Sequence, residues 1–502
     1  MEIEKLKSYI NGEYVESKTD KYMDIYDPSI GEVIAQTPCC TVDEVEAAVA
    51  AAKAAFEPWS STPCTKRVEV LYKFRELLIE HMDELTYMVC RENGKNWDEA
   101  KGDILKVKEP VEVACGAPSL MMGESTMNVT QGFDSTLYRE PIGVFVGITP
   151  FNFPAMIPMG WMMPMCIATG NTLVLKVASM TPMTSLRIVE LLTQAGLPKG
   201  VVNVVTCSRK EAELFLSHPD VKGITFVGST AVGRHIYAQA AANGKRVQCL
   251  CEAKNHALVL EDTPIERTAA GIINSAFGCA GERCMALPVV VVQESIGDQL
   301  VTEILKQVKT KKIGPAYCKT TDLGPVVTAD HRKFVTDWIA TGIEEGADLI
   351  LDGRNVVVPG YEKGFFIGHT IFDHVTPEMT VGQSEIFGPV LCVKRVKNFE
   401  EGLSVINSNP YANGSVIFTQ NGHYAREFTK KTHGGMVGVN VGIPVPAGMF
   451  PFAGHKFSFF GDLHCLGKDG IRFYTESKVV TTRWFDEETK KQAQVGTWDG
   501  AM

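Results

Sequence analysis

Cys284 stands in the run Gly278-Cys279-Ala280-Gly281-Glu282-Arg283-Cys284-Met285, between an apolar helical stretch and a run of valines. A thiol on a glycine-bearing loop beside a guanidinium is placed to act as a nucleophile, because the cation favours the ionised sulfur and the small residues leave it approachable. Taken alone, the same pattern also fits a buried structural cysteine. Asn152, in Pro150-Phe151-Asn152-Phe153-Pro154, is an amide inserted in an apolar, proline-bounded turn. Its NH2 can serve an oxyanion or satisfy the turn's own backbone. The third feature is Gly228-Ser229-Thr230-Ala231-Val232-Gly233, which follows the apolar run 223–227. No GxGxxG occurs, and Arg234-His235 follow where a P-loop needs Lys and Ser/Thr, which argues against nucleotide hydrolysis. A glycine turn opening a helix still offers free N–H groups and a positive dipole end to a pyrophosphate, although a ligand-free βα turn fits the motif equally well. Cys249, Cys251 and His256 form the one tight metal-type cluster, and no CxxC pair accompanies it. Core thiols are expected there, and no metal.

The elements that must position these residues are readable from periodicity. Glu44 to Trp59 and Lys66 to Glu92 place apolar residues at three- and four-residue spacing and predict two amphipathic helices. From Gly143, β-branched runs alternate with helical stretches: 143–148, a helix after Pro154, 172–176, a helix at 183–195, 201–205, 223–227, a helix from Thr230, and 246–250. That rhythm predicts a doubly wound parallel sheet. Thr263 as N-cap with Pro264 at the first helical position opens a helix to about Ala276 that ends at the Cys284 loop. Further alternation to about Val441 suffices for a second α/β domain. STLYRE (135–140) and KVVTTRW (478–484) alternate polar and apolar residues outside both sheets and are candidates to pair with something other than the core.

Composition narrows the function classes. The chain has 502 residues, 49 basic against 59 acidic for a formal charge of −10, 45% hydrophobic and 22% charged. That is an ordinary globular balance, large enough for two or three domains, without the basic footprint of a nucleic-acid binder. Fourteen cysteines in 502 residues are far too few for a disulfide scaffold, and the N-terminus carries no apolar signal core, so a reducing, cytoplasmic setting is expected. The longest uncharged stretch, Pro141 to Leu175, contains Pro150, Pro154, Pro158 and Pro164, which argues for buried core over a membrane span.

Taken in order, YINGEYVES, YDPSIGEVIA, TPFNFP, LVLKVASMTP, FVGSTAVG, GCAGERCM and EIFGPV resemble the aldehyde dehydrogenase superfamily over nearly the whole chain. PFNFP, GAPSLMMG (116–123), AKNH (253–256), GERCMA (281–286) and PFAGHKFSFFG (451–461) are similar to its methylmalonate-semialdehyde dehydrogenase branch, which makes an acyl-CoA from a malonate-type semialdehyde with loss of CO2. The resemblance implies an α/β fold in three parts: a doubly wound cofactor-binding domain (1–123, 144–252, 445–470), an α/β catalytic domain (253–444), and small oligomerisation strands (124–143, 471–502) of a homodimer or homotetramer. It implies Cys284 as nucleophile, with Asn152 and the Cys284 N–H as oxyanion hole. Thr149, Phe151, Lys176, Ser179, Gly228, Ser229, Gly233, Glu385 and Phe387 then bind NAD or NADP, with CoA as acyl acceptor. Arg283, Lys108 and Glu252 would contact an anionic substrate.

Three departures from the resemblance bear on function. The superfamily's general base falls at Leu250, which favours CoA over water as acceptor. Glu252 stands where that segment has glycine, placed to crowd the nicotinamide, contact substrate or act as a displaced base. Ser179 replaces a glutamate of the ribose segment, which opens the site to NADP. The alternative reading is a hydrolytic dehydrogenase of another anionic aldehyde, succinic-semialdehyde or sulfonated, giving the free acid.

Overall fold

The computed structural model describes residues 3–130 and 132–484; the charged, then glycine-rich tail from Phe485 lies outside the described residues. Five largely buried strands, β1 (Val144–Ile148), β2 (Thr172–Lys176), β3 (Val202–Val205), β4 (Val221–Val227) and β5 (Arg246–Leu250), run parallel in the order β5-β4-β1-β2-β3. Their near-continuous apolar runs belong to a sheet covered on both faces. Antiparallel edges are added by Phe459–Phe460 beside β5 and by Ser8–Ile10, then Glu13–Val15, beyond β3. The chain moves outward from β1 through β2 and β3, then returns to the other side of β1 as β4. The reversal opens a crevice at the carboxyl ends of β1 and β4, where open α/β sheets receive ligands.

The helices that cover this sheet follow local signals. In α1 (Val42–Ser60) the Thr41 backbone N–H donates to Glu44 Oε2 at 2.7 Å, in a capping box. The helix expected from Lys66 to Glu92 is two, α2 (Cys64–Glu80) and α3 (Met82–Asn93), parted at His81, whose φ of −95° and ψ of 16° leave the helical range. No glycine or proline marks the break, and apolar spacing continues through it (Leu71, Phe74, Leu78, then Leu85 and Val89, all fully buried). In α4 (Trp97–Ala114), capped by Asn96, the fully buried stripe is Ala100, Ile104, Val107, Val111 and Ala114. Past Pro154, the expected helix is a wide π-helical segment, Met156–Met162, continued as Met163–Ala168.

The second sheet comprises β6 (His256–Val259), β7 (Val289–Gln293), β8 (Thr370–Asp373), β9 (Val390–Val396), β10 (Gly414–Phe418) and β11 (Met436–Val439). They are parallel in the order β8-β9-β7-β6-β10-β11, with Asp348–Leu351 antiparallel at the β8 edge. Between the sheets' helices run α5 (Thr230–Ala242) and α6 (Ile265–Phe277), followed later by α7 (Ala329–Glu344). The cap of α6 differs from expectation. Pro264, not Thr263, is the N-cap, and the Thr263 hydroxyl is bonded at 2.7 Å to that of Thr268. The two alternating segments outside these sheets pair with each other. Phe133–Pro141 and Thr475–Arg483 run antiparallel in a register that sets Leu137 opposite Val479, with Ser125–Thr130 on the outer side.

Candidate active site

The chain leaves α6 through three successive left-handed residues, Cys279 (φ 51°), Ala280 (φ 52°) and Gly281 (φ 74°). Two of them are not glycine, so the surroundings must hold this conformation against its local cost. Gly281 is needed for a second reason: a Cβ there would lie 2.0 Å from the Gly388 carbonyl oxygen, so the nucleophile loop and the 385–389 segment touch through bare backbone. Cys284 itself is half-buried, and its carbonyl accepts from Asn255 Nδ2 at 2.9 Å and Asn413 Nδ2 at 3.1 Å. Asn255 also donates to the Ala286 carbonyl at 2.7 Å and accepts from the Gly414 N–H at 2.8 Å. One buried amide therefore fixes the Cys284 segment to the start of β10.

Arg283 does not do what its adjacency suggests. Its Nε donates to Cys279 Sγ at 3.1 Å and its terminal nitrogen pairs with Glu99 at 3.1 Å. Burial, reinforced by the charge of Glu385, pushes the Cys284 thiol up to about 12, and Arg283 is the weakest of the opposing influences. The lowering expected from the neighbouring cation is outweighed by burial, and the guanidinium is itself partnered by Glu99.

Asn152 is buried in a turn whose carbonyls are taken by distant side chains. Phe151 O accepts from Asn93 Nδ2 at 3.0 Å and Thr181 Oγ1 at 3.1 Å, and Pro154 O from Ser185 Oγ at 2.6 Å. Asp103, in a buried ion pair with Lys95 at 2.8 Å, accepts the Met156 N–H at 2.7 Å, while Lys95 lies 3.5 Å from the Phe153 ring centroid. These contacts clamp the turn onto α4 and α3. From it, Asn152 Nδ2 donates to the Glu282 carbonyl at 2.9 Å. The amide does satisfy backbone, but backbone of the nucleophile loop, and it keeps a second N–H for a ligand.

Cys284 opens on a cavity of about 470 Å³ walled by Phe153, Met156, Trp161, Ile443, Val445 and Phe452, with Arg283, Glu99, Asp98 and Lys106 on its polar side. The lysine here is Lys106, not Lys108. Two residues along a helix turn a side chain by about 200°, so Lys108 leaves the cavity and pairs with Glu112 at 2.7 Å. Lys106 pairs with Glu109 at 2.6 Å at the cavity rim. The Lys108 assignment is corrected accordingly.

The crevice of the first sheet holds a second cleft, about 280 Å³, lined by Thr149, Lys176, Arg209, Glu213, Gly228, Ser229 and His235 among others. Thr149 N–H is bonded to the Lys176 carbonyl at 3.1 Å, which ties the β1 and β2 ends together. The Lys176 ammonium has no hydrogen-bond or ion-pair partner among the described residues. Gly233 does not reach this cleft: a Cβ there would meet Cys251 Sγ at 2.3 Å, so this glycine lets α5 pack on the chain just past β5. Ser179 lies past β2 and is not part of the lining. Glu252 sits two residues beyond β5, where its carboxylate accepts the Thr230 N–H, the first of α5, at 3.0 Å and the Tyr411 hydroxyl at 3.4 Å. Leu250, buried in β5, pairs with Phe459. Glu385 accepts the Ala253 N–H at 3.0 Å, and burial, with the charge of Glu252, holds its carboxyl up at about 8. Phe387 takes a left-handed φ of 59°, with its ring edge-on to Phe151 at 5.9 Å.

The family model for the aldehyde dehydrogenase family matches residues 14–480. The chain belongs to the aldehyde dehydrogenase family. It is 47% identical over 482 residues to malonate-semialdehyde dehydrogenase 2 of Oceanobacillus iheyensis (96% of this chain, 99% of that protein). It is also 47% identical over 483 residues to malonate-semialdehyde dehydrogenase of Bacillus subtilis (96% and 98%). The solved methylmalonate-semialdehyde dehydrogenase of Oceanimonas doudoroffii superposes with a TM-score of 0.95 at 43% identity, over 97% of this chain and 100% of that one. A Sinorhizobium meliloti protein crystallised with NAD does so with a TM-score of 0.95 at 42% identity, over 97% and 99%.

In this aldehyde dehydrogenase, the structure adds residues that sequence reasoning missed. His331, on α7, donates from Nε2 to the Phe387 carbonyl at 2.7 Å; a carbonyl only accepts, so that nitrogen carries the proton. The same nitrogen is 3.4 Å from Glu282, whose buried carboxyl is held well above the usual range by desolvation, and the ring packs against Phe151 at 5.9 Å. His331 therefore touches all three functional loops. No local signal marks it: a histidine in the first turn of a helix reads as surface.

Proposed function

We propose that this aldehyde dehydrogenase oxidises a small anionic aldehyde of the malonate- or methylmalonate-semialdehyde type and passes the acyl group to CoA with loss of CO2. The observation that carries the reading is Cys284 on the wall of a cavity with one apolar side and a polar side where Arg283 and Lys106 stand among Asp98 and Glu99. The thiolate attacks the aldehyde carbon to form a thiohemiacetal, and the oxygen gains charge beside the free N–H of Asn152 and the Cys284 backbone N–H. Little thiolate is needed, since sulfur is intrinsically nucleophilic.

The cleft residues fit a dinucleotide: a Lys176 side chain without a partner among the described residues and a glycine turn at a helix start; Glu385, outside that lining, is buried and can accept ribose hydroxyls. When bound, NAD or NADP would supply the acceptor for the hydride. The names of the relatives and the NAD complex of a similar structure support both substrate and cofactor.

Water attack on the resulting Cys284 thioester needs a base, a contribution of roughly 10²–10⁴-fold. Leu250, at the position of the superfamily's base, has no group that can accept a proton. A CoA thiol needs less help, which supports transfer to CoA over the hydrolytic alternative. With malonate-type acyl groups, the carboxylate β to the thioester carbonyl leaves as CO2, its bonding pair passing to the α-carbon, which then takes a proton from solvent. Assembly as a homodimer or homotetramer is supported by the exposed Met127, Val129 and Val479 of the three-stranded sheet, and a reducing, cytoplasmic setting by fourteen free thiols.

The test is turnover of a semialdehyde panel with NAD and NADP, with and without CoA, with products identified by mass. Acyl-CoA formation with strong CoA dependence is expected. Full-rate turnover to free acid without CoA, lost in Glu252→Gly, would overturn the CoA assignment.

A further inference from the structure

Ser229, the N-cap residue of α5, makes no side-chain bond to the helix start. The first N–H of that helix is instead taken by a carboxylate from another strand: Glu252 accepts from Thr230 N at 3.0 Å. The backbone of Glu252 is fixed, since Ser458 Oγ donates to its carbonyl at 2.7 Å and the preceding Cys251 N–H donates to Ser458 O at 2.8 Å. Only the side chain is free to move. Its other contact is the Tyr411 hydroxyl at 3.4 Å, and among the described residues it has no cationic partner. Glu385 is its neighbouring carboxyl, raised in part by the charge of Glu252. The cleft beside Gly228 and Ser229 meanwhile holds Lys176 with no partner among the described residues.

We propose that Glu252 is a determinant of cofactor affinity: an internal anion that occupies the helix-start amide a dinucleotide's diphosphate would otherwise use. The inference rests on the reading that this cleft takes a dinucleotide. A carboxylate at a helix N-terminus is stabilised by the dipole and by the free N–H. A diphosphate arriving there meets both a filled donor and a like charge, so binding requires the Glu252 side chain to leave Thr230. The enzyme thereby holds oxidised and reduced cofactor more weakly, which favours release after hydride transfer. Lys176 stays available for the ribose end, because Glu252 engages α5 instead.

The experiment is isothermal titration calorimetry of wild type, Glu252→Gln and Glu252→Gly with ADP-ribose, NAD and adenosine, the last lacking a diphosphate. The glutamine keeps size and removes charge; the glycine removes both. Roughly tenfold lower Kd for ADP-ribose and NAD in both variants is expected, with adenosine unchanged. An ADP-ribose Kd unchanged or raised in both variants overturns the proposal while leaving the cofactor reading in place. Absence of ADP-ribose and NAD binding in all three proteins overturns the cofactor reading, and the proposal with it.

Discussion

Around Cys284, the cations of the cavity region are already partnered: Arg283 by Glu99, Lys106 by Glu109, Lys95 by Asp103. Across the cofactor cleft the pattern is mixed: Arg209 and His235 pair with Glu213 on its wall, but other groups are left open. Lys176 has no partner among the described residues, Glu252 has no cation, and Glu385 is buried with its carboxyl raised to about 8. The first region is built rigid, with its geometry set before any ligand arrives, as a chemical step needs. The second leaves Lys176 and Glu252 without an opposite charge among the described residues, so that a ligand can complete it. The lesson is that preorganisation is spent where bonds are made, and electrostatic tension is kept where a cofactor must come and go.

The sharpest break of the nucleophile side is Cys284→Ala. Turnover should fall by roughly 10⁴-fold or more while NAD binding, read by calorimetry, is retained. Cys279→Ala should stay within about tenfold of wild type in kcat, since it removes one partner of Arg283 and leaves Glu99. Equal losses in both would break the distinction between the two thiols.

Because burial pushes the Cys284 thiol up to about 12, the free enzyme should react with iodoacetamide roughly 10²–10³-fold more slowly at pH 7 than an ordinary exposed thiol. The thiolate fraction rises with pH until it passes the raised value, so labelling at Cys284, followed by peptide mass, should keep rising through pH 9 without a plateau. Glu385→Gln should speed it above pH 8, where the native carboxyl ionises and repels a second anion. A plateau near pH 8 would contradict the assignment.

Asn255→Ala strips two backbone carbonyls and one N–H of their partners at the nucleophile segment. A loss of about 2–4 kcal/mol in stability, seen as a lower midpoint in thermal denaturation, is expected, with kcat reduced by about 10²-fold. A drop in stability alone would show that the asparagine supports the fold without aligning the thiol.

Lys106→Ala should raise KM for an anionic aldehyde by about tenfold while leaving a neutral aldehyde unaffected, and Lys108→Ala should change neither. The smallest effect concerns the cleft. With Ser179 outside the lining and Arg209 within it, Arg209→Ala should lower kcat/KM for NADP about three- to tenfold and leave NAD nearly unchanged. Equal losses for both cofactors would remove Arg209 from 2′-phosphate recognition.

Much of this was legible in the chain itself. Period-two and period-3.6 patterns record burial, a local property, and so the parallel strands from Val144 to Leu250 and the helices that alternate with them could be read in order. The spacing of Cys284 among its glycines and the Gly228-Ser229 turn at a helix start were likewise local statements. The break at His81 was not readable, because apolar spacing runs through it and the turn there is set by what α3 must reach: Glu92 accepts the Met183 and Thr184 N–H groups at 2.7 and 2.8 Å.

Only the tertiary structure decided which charges meet. Arg283 is adjacent to Cys284 in sequence, yet it answers to Glu99, 184 positions away, and burial outweighs its effect on the thiol. Lys106 and Lys108 are indistinguishable by type and spacing until the packing of α4 assigns one face to the cavity. Glu252 is placed by the end of β5 against the start of α5, and His331 by α7 against the Phe387 loop. Side-chain direction at a junction of elements depends on contacts far apart in the chain, whereas periodicity reports only whether a position is covered.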